Sequence, residues 1–221
     1  PFIILTVSAA VFIVAVFGLT RISYNASIME DLRPGNPLYD DLIFVEEKLG
    51  GTFPLEVIVD TRTENASLSS AILKKTQVFK NEILQNPEIK TAVTAGDYLM
   101  LINEEIGSGE RELPESEEEA LSFIYDYERI QMYLNDDYSK SRISCRMPDI
   151  PYEEAMLIRD EILQKGKMIF GDNVDIKVTG STLLALSTNR HLVKNIWTLG
   201  DKCCAVATKL YILSETSKIY N

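Results

Sequence analysis

The sequence predicts an α+β protein in which an N-terminal transmembrane helix precedes a split βαβ domain with a helical insertion. Two observations carry this. Pro1 to Leu19, PFIILTVSAAVFIVAVFGL, contains no charged residue, and only Thr6 and Ser8 have polar side chains. Behind it, the apolar pattern passes twice through the order strand, helix, strand.

As a helix the first stretch rises about 28 Å, close to the roughly 30 Å hydrocarbon thickness of a bilayer. In lipid a helix satisfies its own backbone hydrogen bonds, so it can cross without a partner. A buried core helix rarely stays apolar on every face for this length. A cleaved signal peptide is the closer rival. Its apolar region is about 7–15 residues and ends at a small-residue cleavage site, whereas Gly18-Leu19-Thr20-Arg21 is a poor one. The stretch therefore reads as a retained anchor, residues 1–20.

Residues 21–53 form a connector. Ile28 to Pro37, IMEDLRPGNP, is irregular, with its prolines, Gly and Asn. Leu38, Leu42, Val45 and Leu49 then recur at helical spacing until Gly50-Gly51 stops the helix. The domain, residues 54–180, opens with a β-branched strand, Pro54 to Asp60, and a polar loop, Thr61 to Asn65. Leu68, Ile72, Phe79 and Ile83 mark a helix that Asn86-Pro87 ends. Ile89 to Thr94 is the second strand, and Tyr98 to Ile102 a further short apolar piece.

An acidic loop, Gly107 to Glu115, leads to Ser116 and Glu119, whose spacing opens a helix as a capping box. Leu121, Ile124 and Tyr125 give that helix an apolar stripe, which Ile130, Tyr133 and Leu134 continue; the tyrosines read as core residues with wet hydroxyls. In Ser141 to Met147, Ile143, Cys145 and Met147 alternate with Ser144 and Arg146, a half-buried strand. Pro151, Glu153 and Glu154 start the next helix, Ala155, Ile158 and Ile162 line it, and Lys165-Gly166-Lys167 marks its end. Val174, Ile176 and Val178 form the last strand, and Gly180-Ser181 begins a helix, residues 181–199. Two βαβ-type units in series suggest a ferredoxin-like sandwich whose antiparallel sheet has one face covered by helices and the other available to a neighbour.

A formal charge of −11 argues against nucleic acid and against a polybasic lipid-surface binder. Cys145, Cys203 and Cys204 have no metal-site, redox-motif or disulfide-framework spacing. His191, between Arg190 and Lys194, reads as a surface side chain. Glu104-Glu105 and Glu117-Glu118-Glu119 read as solvated helix termini rather than cation ligands. Dinucleotide, P-loop, zincin and nucleophile-elbow motifs are absent. The sequence thus predicts no enzyme, no cofactor, and no catalytic or metal residue, and it assigns no substrate-binding residue. Asn25-Ala26-Ser27 and Asn65-Ala66-Ser67 fit the glycosylation tripeptide.

The order of these parts resembles the resistance–nodulation–division (RND) transporters, in the branch of the MMPL and hydrophobe–amphiphile exporters that includes hopanoid and lipid exporters. Asp31, Pro34 and Pro37 carry the likeness in the connector. Gly50, Gly51, Leu55, Val57 and Asp60 carry it in the first strand, and Thr179, Gly180 and Ser181 at the turn back towards the membrane. The resemblance covers about residues 1 to 197. It implies a first transmembrane helix and a first extracytoplasmic (periplasmic) porter domain of an inner-membrane exporter driven by proton flow. The implied partners are the bilayer, a lipid or amphiphile, and the remaining transmembrane and porter domains, with a homo-oligomer left open. Proton relays lie on later helices, so this part is not transport-competent alone.

The sequence departs from the family after about Ile196. Lys202, Lys209, Glu215 and Lys218 interrupt every apolar run, so residues 200–221 cannot span a bilayer, and a frameshift or truncation is expected there. The lack of an initiator Met similarly leads us to expect a start inside a longer chain. The alternative reading is a single-pass anchored extracytoplasmic binding or sensor domain.

Overall fold

β1 (Phe53–Asp60) is an inner strand of the sheet. Its alternation puts Leu55, Val57 and Val59 on one face, where all three are essentially inaccessible, and Glu56 and Ile58 on the other. The computed structural model describes residues 2–19, 35–107, 109–181, 183–188, 190–192, 194, 195, 198 and 202. Residues 21–34 of the connector, with the first glycosylation tripeptide, lie outside the described residues, as do Cys203, Cys204 and the rest of the tail apart from Lys202. The chain divides into two compact units, residues 27–184 and residues 1–26 with 185–221.

In the larger unit α2 (Pro37–Leu49) precedes β1, and α3 (Ser70–Ile83) and β2 (Thr91–Val93) follow it. An insertion of α4 (Ala95–Ile106), α5 (Glu117–Asp126) and α6 (Glu128–Gln131) leads to β3 (Lys140–Met147), α7 (Tyr152–Phe170) and β4 (Asp175–Thr179). The strands form one antiparallel sheet in the order β2-β3-β1-β4. β1 and β2 therefore run the same way with β3 between them, and β3 and β4 the same way with β1 between them. Because β4 is antiparallel to β1, the chain enters the sheet at Phe53 and leaves it at Thr179 from the same end.

The α+β class and the antiparallel sheet agree with the sequence reading, and several details differ. β2 is three residues long, although Lys90 already donates its amide to Arg146. The apolar piece Tyr98 to Ile102 lies within α4, which Thr94 and Asp97 open with a reciprocal capping box. α5 stops at Tyr127, whose extended backbone separates it from α6, and Tyr125 is 76 % exposed rather than part of an apolar stripe. α7 runs past Lys165-Gly166-Lys167 to Phe170. Gly166 is instead a contact point, where an added Cβ would press on Phe79 and Ile176. Phe79 in turn meets Phe170 edge-on at 5.6 Å, which joins α3 to α7 over the sheet.

In the smaller unit α1 (Phe2–Leu19) is a helix without a charge. Every described side chain on it is exposed, with Ile3, Val7, Val11, Val14 and Phe17 between 57 and 81 % exposed. Among the described residues no helix is long and apolar enough to cross a membrane. α1 comes nearest, and its 18 residues rise about 27 Å against a hydrocarbon core of roughly 30 Å. The described residues between 181 and 202 are all helical.

The junction ahead of β1 is tight. Gly50 caps α2 in the left-handed region, and Gly51 has φ +121° with its α-carbon against the carbonyl of Met147. A side chain there meets both a backbone penalty and an overlap. Gly51→Ala is expected to destabilise the domain by more than about 1 kcal/mol, read as a lower denaturant midpoint at unchanged slope. On α2, burial and then the Asp149 carboxylate push the Glu46 carboxyl upward. Its contribution to stability is thus fully present below the ordinary glutamate value and lost as pH rises through the folded one. Glu46→Gln is expected to raise the unfolding midpoint at neutral pH more than at acid pH.

Candidate functional site

The sheet face that carries no buried apolar row presents an ordered grid of polar groups. Register places Ile58 between Arg142 and Lys177, Glu56 between Ser144 and Thr179, and Asp60 between Lys140 and Asp175. These charges are paired locally. Lys140 Nζ lies 3.4 Å from Asp60, and Arg142 Nε 3.5 Å from Glu56, a separation held by charge rather than by a well-formed hydrogen bond. Ser144 donates its hydroxyl to Glu56 at 3.0 Å.

At the margin of this face the guanidinium of Arg142 sits 5.4 Å from the centre of the Tyr133 ring, which packs on Tyr98 at 5.3 Å. Tyr133 is held there by its backbone carbonyl, which accepts the Arg142 amide at 2.8 Å. Beside it lies a shallow cleft of about 220 Å³ lined by Ile58, Met132, Leu134 and Arg142. That is below the about 300–1,000 Å³ usual for small-molecule sites. Two adjoining loops behind the cleft hold Arg62, Asn65 and Tyr138 at positive φ and are tied by Asn65, Ser67 and Thr61 amides donating to carbonyls of Asp137, Tyr138 and Ser139.

A larger groove of about 940 Å³ runs between α3, α4 and the loop before α5. Its lining is amphipathic: Val78, Met100 and Leu113 are apolar, and Lys74, Lys80, Glu112 and Glu115 supply charges of both signs. The walls are locked by the cap of α4. Asp97 accepts the Thr94 amide at 2.8 Å and pairs with Lys80, and Gln77 donates to both Thr94 and Asp97. Lys80 and Gln77 thereby fix α3 to the first turn of α4.

Neither Ser144 nor Cys145 is set up as a nucleophile. The sequence has a single His, His191, outside residues 27–184 and exposed. Ser144 faces a carboxylate already engaged by Arg142, so no base is poised to activate it. Cys145 is inaccessible, and burial, helped by Glu56, pushes its thiol up to about 12, far from the thiolate form. The acidic runs are helix termini: Ser116 accepts the Glu119 amide, Glu119 accepts the Glu115 amide, and Glu104 lies 3.6 Å from Arg111. Among the described residues no group of three His, Cys, Asp or Glu is placed to hold a metal ion. In the second glycosylation tripeptide Ser67 is buried.

Sequence reasoning located none of the groove or grid residues as a set. The signal for the groove was present in Thr94 and Asp97, a capping pair that pins the start of α4. No protein-family model matches this chain, and no curated protein is significantly similar to it.

Burial and the hydrogen bond that the Tyr133 hydroxyl donates to Tyr98 push the Tyr133 phenol up to about 12, against the lowering influence of Arg142. The unfolded chain therefore gives up this proton first, and the stability it contributes is intact below about pH 10 and lost towards pH 12. In a phenolate absorbance titration one tyrosine is expected to lag the others, and Tyr133→Phe to remove it. Arg142→Ala should delay it further.

Proposed function

We propose that the chain is the N-terminal part of a proton-driven RND/MMPL-type exporter of lipids or amphiphiles, supplying the first membrane helix and the first porter domain. The body then sits on the extracytoplasmic side of the inner membrane. The observation that carries this reading is that the sheet takes the chain in and lets it out at one end, on the neighbouring strands β1 and β4. A domain inserted between two membrane-directed segments needs that geometry, and a domain hung on a single anchor does not. The grouping of residues 1–26 with 185–221 supports the same arrangement. The strand order, with α3 and α7 in the two crossovers, supports the ferredoxin-like, split βαβ class.

The uncharged run of Pro1 to Leu19 and the exposed apolar side chains of α1 support contact with lipid. The α3–α4 groove has the volume and the mixed lining suited to an amphiphile. The partners are then the bilayer, the amphiphile and the remaining domains of the transporter, with no nucleic acid. The single-pass binding or sensor domain stays as the second reading, favoured by the charged tail.

The test uses the full chain in cell membranes, with Cys203 and Cys204 changed to Ser and Met168→Cys as a reporter, since Met168 is 71 % exposed. Cys145 stays silent because it is buried. The chain should resist alkaline carbonate extraction, and the reporter should react with an impermeant maleimide in intact cells or spheroplasts. Release by carbonate, or labelling only after lysis, would rule out the placement. A photoreactive alkyl amphiphile should then label peptides containing Val78 and Met100. Correct placement without that label would favour the anchored binding domain.

A further inference from the structure

β4 is an edge strand. One side of it pairs with β1 over five residues without a bulge, and none of the described residues pairs with its other side. It contains no Pro, so its free backbone groups are available to another strand. The apolar row is also incompletely covered there. Val59 and Val57 are inaccessible at the centre of the sheet, but their neighbours Ile176 and Val178 on β4 are only half-buried. A cleft of about 300 Å³, lined in part by Leu163, Val174 and Ile176, opens beside them.

On the opposite face Asp175 and Lys177 contact each other along the strand at 3.3 Å and are 38 % and 63 % exposed. We infer that this edge pairs with the β4 of a second copy of the chain, antiparallel and centred on Ile176. Registers that keep both helix layers on one side of the joined sheet place a residue opposite itself. Centring on Asp175 opposes two carboxylates, and centring on Lys177 opposes two ammonium groups. Centring on Ile176 sets each Asp175 opposite Lys177 of the second copy and brings Ile176 against its counterpart. It alone of the three yields two cross-strand ion pairs and an apolar centre. A five-residue edge is short against the about 800 Å² per partner of a standard interface, so the dimer is reversible on dilution. This inference does not depend on the exporter reading.

Sedimentation equilibrium of the full chain in density-matched detergent should show a dimer that dissociates on dilution. Asp175→Lys and Lys177→Asp should each weaken it by about tenfold, since each converts two attractive pairs into repulsive ones. The double exchange should restore self-association, and an equimolar mixture of the two single variants should form a heterodimer. Unfolding midpoints near wild type would confirm that the variants fold. A monomer at every concentration, a dimer indifferent to both single changes, or a double exchange that fails to restore association would each overturn the inference.

Discussion

The close packing around β1 is the constraint on which the rest of the body depends. It pairs along its whole length with β3 on one side and, over Glu56 to Asp60, with all of β4 on the other. Its inner residues leave no surface free, so anything that covers them must fit closely. That requirement explains a glycine in the middle of α7, where Gly166 lets the helix settle against Phe79 and Ile176. It also explains the glycine at each end of the body: Gly51 lies against the Met147 carbonyl, and Gly180, at φ +140°, against the Pro54 carbonyl.

The helical insertion is organised by a core of its own. Leu68 and Leu73 from the first half of the body meet Leu99, Ile102, Phe123, Ile124 and Ile130, with Tyr133 at the margin. This cluster holds α4 in place beside α3 and creates the groove between them. It also sets Tyr133 against Arg142, so the position of a phenol on the sheet margin is decided by packing in the insertion. The insertion thus shapes the surface beside the strands as well as adding to it.

Periodicity made the strands legible. Ile143, Cys145 and Met147 lie on the buried face as their alternation predicts, and within the β-branched run Pro54 to Asp60 the buried row is Leu55, Val57 and Val59. Glycine was harder, because the same residue ends helices and permits close approach. Lys165-Gly166-Lys167 resembles a helix terminus, yet Gly166 is buried within α7 and the helix stops at Gly171. Tyr98 to Ile102 was too short a window to separate helix from strand, and the Thr94–Asp97 pair that decides it lies just outside. The contacts that shape the open face and the groove join residues far apart in sequence, such as Glu56 with Ser144 and Lys80 with Asp97. Such pairs leave no local pattern in a single sequence.

The shared end of β1 and β4 makes the body a cassette. Neighbouring strands lie about 4.8 Å apart, so the segment arriving at Gly51 and the segment departing at Gly180 are separated by little more than one strand spacing and the offset of their ends. A linker of a few residues can bridge that gap. The whole α+β body can then be excised, exchanged or circularly permuted without forcing the flanking segments apart, and its sequence is free to change independently of theirs.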